Sequence, residues 1–104
     1  MEIKKISEKY NFYQEGANYV LDLGGIKNGE DTTTELNVSG FENPNLLTFH
    51  PVCGCTSSSK TVLEDLSVSI KLKYNNCDPS FAKVVEIKYD NKKVGIIKIK
   101  GTCR

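Results

Sequence analysis

At 104 residues the chain is long enough for one small domain with a single core and little to spare. Hydrophobic residues make up 38%, charged residues 26%, and the formal net charge is +1, so no strong field would draw the chain to nucleic acid or an anionic membrane. No apolar run approaches a membrane span, and Arg104 is the only arginine, which speaks against an arginine-based reader of phosphates or bases.

The N-terminus, Met1 to Lys9, lacks the apolar centre of a signal peptide. The expectation is a protein that stays where it is made, in a reducing cytoplasm where disulfides are disfavoured. Residues 1–16 have room for one more strand, around Ile3 to Ile6 or Tyr10 to Tyr13, with Gly16 as the break. Ile3, Ile6, Tyr10, Phe12 and Tyr13 are a heavy apolar and aromatic load for a terminal stretch. These five are the candidate partner-binding residues; the plainer reading is a first strand covering an edge. Tyr19 to Leu23, Thr32 to Val38 and Leu46 to His50 read as short strands. Gly24-Gly25, Lys27 to Asp31 and Gly40 to Asn45 punctuate them. Gly24, Gly25 and Gly29 precede strands rather than a helix, so they do not form a phosphate loop.

The stretch Phe49-His50-Pro51-Val52-Cys53-Gly54-Cys55-Thr56 concentrates the unusual residues: the only histidine, two of the four cysteines, a proline and a glycine. Pro51 cannot donate a ladder hydrogen bond, which places the segment at a sheet edge or just past a strand end. Three roles are open to its cysteines. They can fill a strand-to-loop corner as small buried side chains. They can join His50 in a metal site, with Cys77 or Cys103 as a fourth ligand, although the spacing is not that of the common zinc modules. Or they can form a disulfide from this corner to Cys77 or Cys103; four cysteines allow three complete pairings. Of these the expectation is no metal and no cofactor.

Beyond the corner, Leu66, Val68, Ile70, Leu72 and Tyr74 alternate with Ser67, Ser69, Lys71 and Lys73, the pattern of a half-buried antiparallel strand. Val85, Ile87 and Tyr89 alternate with Val84, Glu86 and Lys88. Asp90 to Lys93 supplies a turn, and Val94 to Lys100 returns as the partner of a hairpin. Lys71, Lys73, Lys98 and Lys100 read as wet strand faces and edge protection. No segment has a 3.6-residue apolar repeat, and no linker divides the chain. The expected fold is one all-β domain over residues 1–104, an immunoglobulin-like β-sandwich of about seven to eight antiparallel strands. With no tryptophan, the antibody-type core is excluded.

Taken together, Leu23-Gly24-Gly25-Ile26-Lys27-Asn28-Gly29-Glu30, Thr32 to Val38, Pro51-Val52-Cys53-Gly54-Cys55-Thr56, the alternating strand through Tyr74, and Val94 to Gly101 form one pattern. It resembles the bacterial immunoglobulin-like domains of unknown function marked by a Cys-Gly-Cys-Thr signature. These are relatives of the hydin-type folds. The resemblance covers residues 20–104 and leaves 1–16 as an extension or edge strand. Leu63-Glu64-Asp65 stands where those domains usually carry Pro-Gly. The family implies the sandwich but supplies no activity, and its members are typically exported.

Catalysis is the least favoured class, because one histidine leaves one base of the usual kind and His50 and Cys53 face opposite ways on an extended strand. The expectation is a structural or interaction module: a bacteriophage virion component such as an auxiliary (decoration) capsid protein. The alternative is an adhesion or scaffold module of the bacterial cell envelope. Its partners would be proteins of a large assembly, with no nucleic acid, membrane or small-molecule substrate. Docking falls to residues 1–16 or to the loops around Lys27 to Asp31 and Asn43 to Asn45.

Overall fold

Period-two alternation of apolar and polar residues builds two sheets that bury one face each against the other. The computed structural model describes residues 1–104 and contains nine strands: β1 (Glu2–Lys5), β2 (Asn11–Glu15), β3 (Asn18–Ile26), β4 (Thr34–Ser39), β5 (Leu47–Pro51), β6 (Thr56–Val62), β7 (Val68–Tyr74), β8 (Phe81–Tyr89) and β9 (Lys92–Cys103). One sheet has the order β1-β4-β7-β6, the other β2-β3-β9-β8-β5. This is the immunoglobulin-like arrangement. The first sheet takes the places of strands A, B, E and D, and β5, β8 and β9 take those of C, F and G. Leu36, Ile70 and Leu72 of the first sheet face Leu21, Val85, Ile87, Ile97 and Ile99 of the second, all essentially inaccessible to solvent.

Three features depart from the expectation. There are nine strands, because both halves of the N-terminal stretch are used. β1 pairs with β4 in one sheet, and β2 forms a hairpin with β3 in the other. The second unforeseen strand is β6, whose sequence Thr-Ser-Ser-Ser-Lys-Thr-Val has almost no apolar face; it is an edge strand held by pairing with β7. Finally, not every pair is antiparallel: β3 runs parallel to β9 from Tyr19 opposite Ile97 to Ile26 opposite Cys103.

The β8–β9 hairpin closes through Asp90 and Asn91 alone, with φ of 51° and 64°, the left-handed pair of a type I′ turn. Lys92 and Lys93 already belong to β9. Where β3 passes β9 the ladder bulges between Asp22 and Gly25. Opposite it, Gly101 lies so close that a Cβ would stand 2.7 Å from the Gly24 carbonyl oxygen and 2.9 Å from Phe81 Cζ. The Phe81 ring fills that space and stacks on Tyr74 at 3.9 Å between centroids.

Candidate functional site

The turns gather at two ends of the sandwich, and their chemistry differs. The register places Ser39, Val62 and Val68 at the same end of the first sheet, where β4 stops and β6 turns into β7. Leu47 pairs with Tyr89 at the corresponding end of the second sheet, beside the Asp90-Asn91 turn. Met1 spans the gap, its methyl 3.1 Å from where a Gly95 Cβ would stand. At this end lie Met1, Leu46, Val62, Leu63, Leu66 and Val94, six of the nine large hydrophobic side chains exposed anywhere on the molecule.

The Val62–Val68 turn is tightly made. Ser67 donates its amide and hydroxyl to Asp65 Oδ1, at 3.0 and 2.5 Å, and those bonds hold the Asp65 carboxyl below the usual carboxylate range. Leu63 N donates to Ser67 O and Leu66 N to Leu63 O. This geometry forces Leu66 to φ of 66°, left-handed space that a leucine rarely occupies, with its side chain 58% exposed. The alternation expected from Leu66 therefore begins only at Val68. Leu66 points into solvent and Ser67 is buried in its stead. A strained backbone holding an apolar side chain in water is a reason to look for a contact there.

The neighbouring loop is fastened to the same end. Phe41 stacks on Tyr89 at 4.5 Å, Asn43 N donates to Tyr89 Oη, and Asp90 N donates to Leu46 O. Asn43 also caps the 3-10 turn Pro44–Leu46 by accepting from Asn45 N. Of the two loops expected to dock a partner, the one around Asn43 to Asn45 belongs to this apolar end.

The loop Lys27 to Asp31 lies at the opposite end. With residues 73–77 it frames an open, polar cleft of about 420 Å³. Tyr10 donates its hydroxyl to Glu30 Oε2 at 2.6 Å, which lowers the Glu30 pKa. Thr33 donates from both side chain and backbone to Asp31 and lowers it likewise. Thr32 Oγ1 donates to Tyr74 O and accepts from Tyr74 N, extending the β4–β7 ladder by a side chain.

The cysteines are also at this end, and all four are paired. The pairing is Cys53–Cys55 and Cys77–Cys103, so neither an unbonded filler role nor a bridge from the corner to Cys77 or Cys103 describes it. The physical cause is the folded corner between β5 and β6. Thr56 N donates to Cys53 O, which draws the Cys53 and Cys55 Cα atoms to 5.2 Å. For the candidate metal ligands His50, Cys53, Cys55 and Cys77, this leaves His50 with no thiolate beside it. The ring instead shares a hydrogen bond with Thr48 Oγ1, and no three His, Cys, Asp or Glu side chains are arranged to hold a metal ion.

The N-terminal candidates divide. Ile3 and Tyr10 are buried in the core, because β1 and β2 are integral to the two sheets. Phe12 is half-buried and stacks on Tyr19 at 5.8 Å. Ile6 and Tyr13 remain exposed, at 53% and 37%. The apolar residues of the Val62–Leu66 turn are a site that strand alternation alone does not mark. Their signal was present in the Asp65-Leu66-Ser67 spacing of an Asx turn, which interrupts the alternation.

Nothing matches this chain among protein-family models, curated proteins or solved structures.

Proposed function

We propose that the chain is a non-catalytic structural and interaction module of a large protein assembly, a bacteriophage virion component of the auxiliary capsid type. It docks by the apolar end of its sandwich. The observation that carries the reading is the collection of Met1, Leu46, Val62, Leu63, Leu66 and Val94 at one end, with Leu66 held in a costly conformation. Loops at a sandwich end are a usual contact surface of this architecture, and an apolar set there favours a protein partner over a polar ligand. On this reading the chain is a relative of the Cys-Gly-Cys-Thr immunoglobulin-like domains, a kinship supported by the strand order and the corner.

A second reading, an adhesion or scaffold module of the bacterial envelope, draws on the two disulfides. Bonds of this kind persist at virion and cell surfaces alike and are disfavoured in a reducing cytoplasm. Gradient sedimentation of extracts from producing cells distinguishes the cases. The protein is expected to travel with a large particle. The double variant Leu63→Ser, Leu66→Asn is expected to stay at the top of the gradient with its fold intact. A variant that still travels with the particle would remove the apolar end from the account. Recovery of the wild type in the membrane fraction would favour the envelope reading.

A further inference from the structure

A disulfide stabilises a fold mainly by restricting the unfolded chain, and the effect grows with the length of chain enclosed. Cys77–Cys103 spans 26 positions, and its Cys103 end is buried in the core. Cys53–Cys55 spans two and encloses only Gly54, so it restricts little. Its setting also differs. Val52 and Gly54 beside it are exposed, and a methyl group added at Gly54 would meet no atom within 4 Å. Cys55 packs against the core, whereas Cys53 stands outside it.

Two further features concern reactivity. The Cys55 amide donates to Cys53 Sγ at 3.3 Å. A donor aimed at sulfur strengthens as the sulfur gains negative charge, so it favours Cys53 as the thiolate. The corner is meanwhile held without the sulfur–sulfur bond. Val52 N donates to Val84 O, Thr56 N to Cys53 O, and Asn75 N to Cys55 O. These hydrogen bonds join backbone groups and involve neither sulfur.

We propose that Cys53–Cys55 is a thiol–disulfide exchange site that oxidises a protein or peptide dithiol. A thiolate of the partner attacks Cys53 Sγ. The bond between Cys53 and Cys55 breaks, a mixed disulfide forms on Cys53, and Cys55 leaves as a thiolate that takes up a proton. The partner's second thiolate then attacks its own sulfur in the mixed disulfide and displaces Cys53, whose thiolate is held by the Cys55 amide until protonated. Two electrons and two protons pass from the partner dithiol to the cysteine pair. The partner ends as a disulfide and Cys53 and Cys55 as thiols. Exchange at this corner is independent of docking at the opposite end.

The test uses the whole chain with dithiothreitol as the probe dithiol. Protein is equilibrated with graded ratios of reduced to oxidised dithiothreitol, alkylated, and mapped by peptide mass, with circular dichroism recorded alongside. Cys53 and Cys55 are expected to become alkylated while Cys77 and Cys103 stay protected and the β-sheet signal is unchanged. Alkylation of all four together with loss of that signal would overturn the proposal. A second measurement assigns the sulfurs. In Cys55→Ser the remaining Cys53 thiol should react with a chromogenic aromatic disulfide at pH 7 about tenfold faster than the Cys55 thiol in Cys53→Ser. Equal or reversed rates would overturn the assignment of Cys53 as the exchanging sulfur.

Discussion

Both ends of this sandwich are closed by hydrogen-bonded turns, but the side chains those turns carry differ in kind. At the end that holds residues 27–31 and 73–77, polar side chains answer one another: Tyr10 with Glu30, Thr33 with Asp31, Thr32 with the Tyr74 backbone. Both disulfides lie there, and the Tyr74–Phe81 stack closes the core behind them. At the other end the turns are equally well hydrogen-bonded through Asp65, Ser67 and Asn43, yet their apolar side chains face water. Backbone order is therefore a poor guide to which end is finished. The difference lies in what the side chains meet: six of the nine exposed large hydrophobic side chains gather at the apolar end, whereas the end with the disulfides exposes Val52.

The sharpest way to break this comparison is to cut the cross-links. Replacing Cys77 and Cys103 by alanine should lower stability by about 3–4 kcal/mol, measured by urea denaturation, because the enclosed chain is long. The same change at Cys53 and Cys55 should cost less than about 2 kcal/mol. Equal losses would show that the corner is as structural as the C-terminal bridge. Next in size is Gly101→Ala, whose methyl would collide with the Gly24 carbonyl and the Phe81 ring, for a cost of about 1–3 kcal/mol in the same assay.

At the apolar end the expected sign reverses. Leu66→Gly removes a leucine from left-handed space and should raise the melting temperature, by an amount corresponding to up to about 1 kcal/mol. A lower melting temperature would mean that the exposed leucine packs within its own domain rather than against a partner.

The smallest effects concern acid. Hydrogen bonds to Glu30, Asp31 and Asp65 lower their folded-state pKa values, so the unfolded chain takes up protons first as pH falls. Their contribution is complete above the ordinary unfolded values, about 3.9 for aspartate and 4.3 for glutamate, and disappears as pH drops through the lowered folded values. Two of the three lie at the polar end. Glu30→Gln with Asp31→Asn should therefore flatten the acid limb of a pH–stability profile more than Asp65→Asn does. A larger effect from Asp65→Asn would reverse the assignment.

Much of the architecture was legible because burial imposed a period of two. Val68 to Tyr74, Val85 to Tyr89 and the return strand after Asp90 each place aliphatic residues on one face, and that face is the core. β6 was not legible, since an edge strand exposed on most of its length needs no apolar face; its neighbour β7 supplies the order. Leu66 deceived for a related reason. Its side chain fits the alternation, but the Asp65–Ser67 hydrogen bonds set the backbone, and backbone geometry prevailed over side-chain pattern. The Cys-Gly-Cys corner announced itself by composition, whereas its pairing depended on a fold-back that no spacing encodes.

The position of β9 has a consequence for how the molecule is made. Its twelve residues, Lys92–Cys103, lie between β3 and β8 and bond to both. During synthesis β3 and β8 emerge before it, each able to pair on one side, with β2 and with β5, but presenting an open edge on the other until β9 follows. Pairing Tyr19 with Ile97 closes a loop of about three quarters of the chain, so folding is dominated by distant contacts and is slow for a domain of this size. The β1-β4-β7-β6 sheet, by contrast, has all its strands by Tyr74, so only the second sheet waits for β9. Until β9 arrives, a nine-residue strand borders each side of an empty slot, the kind of open edge through which unfinished chains pair with one another.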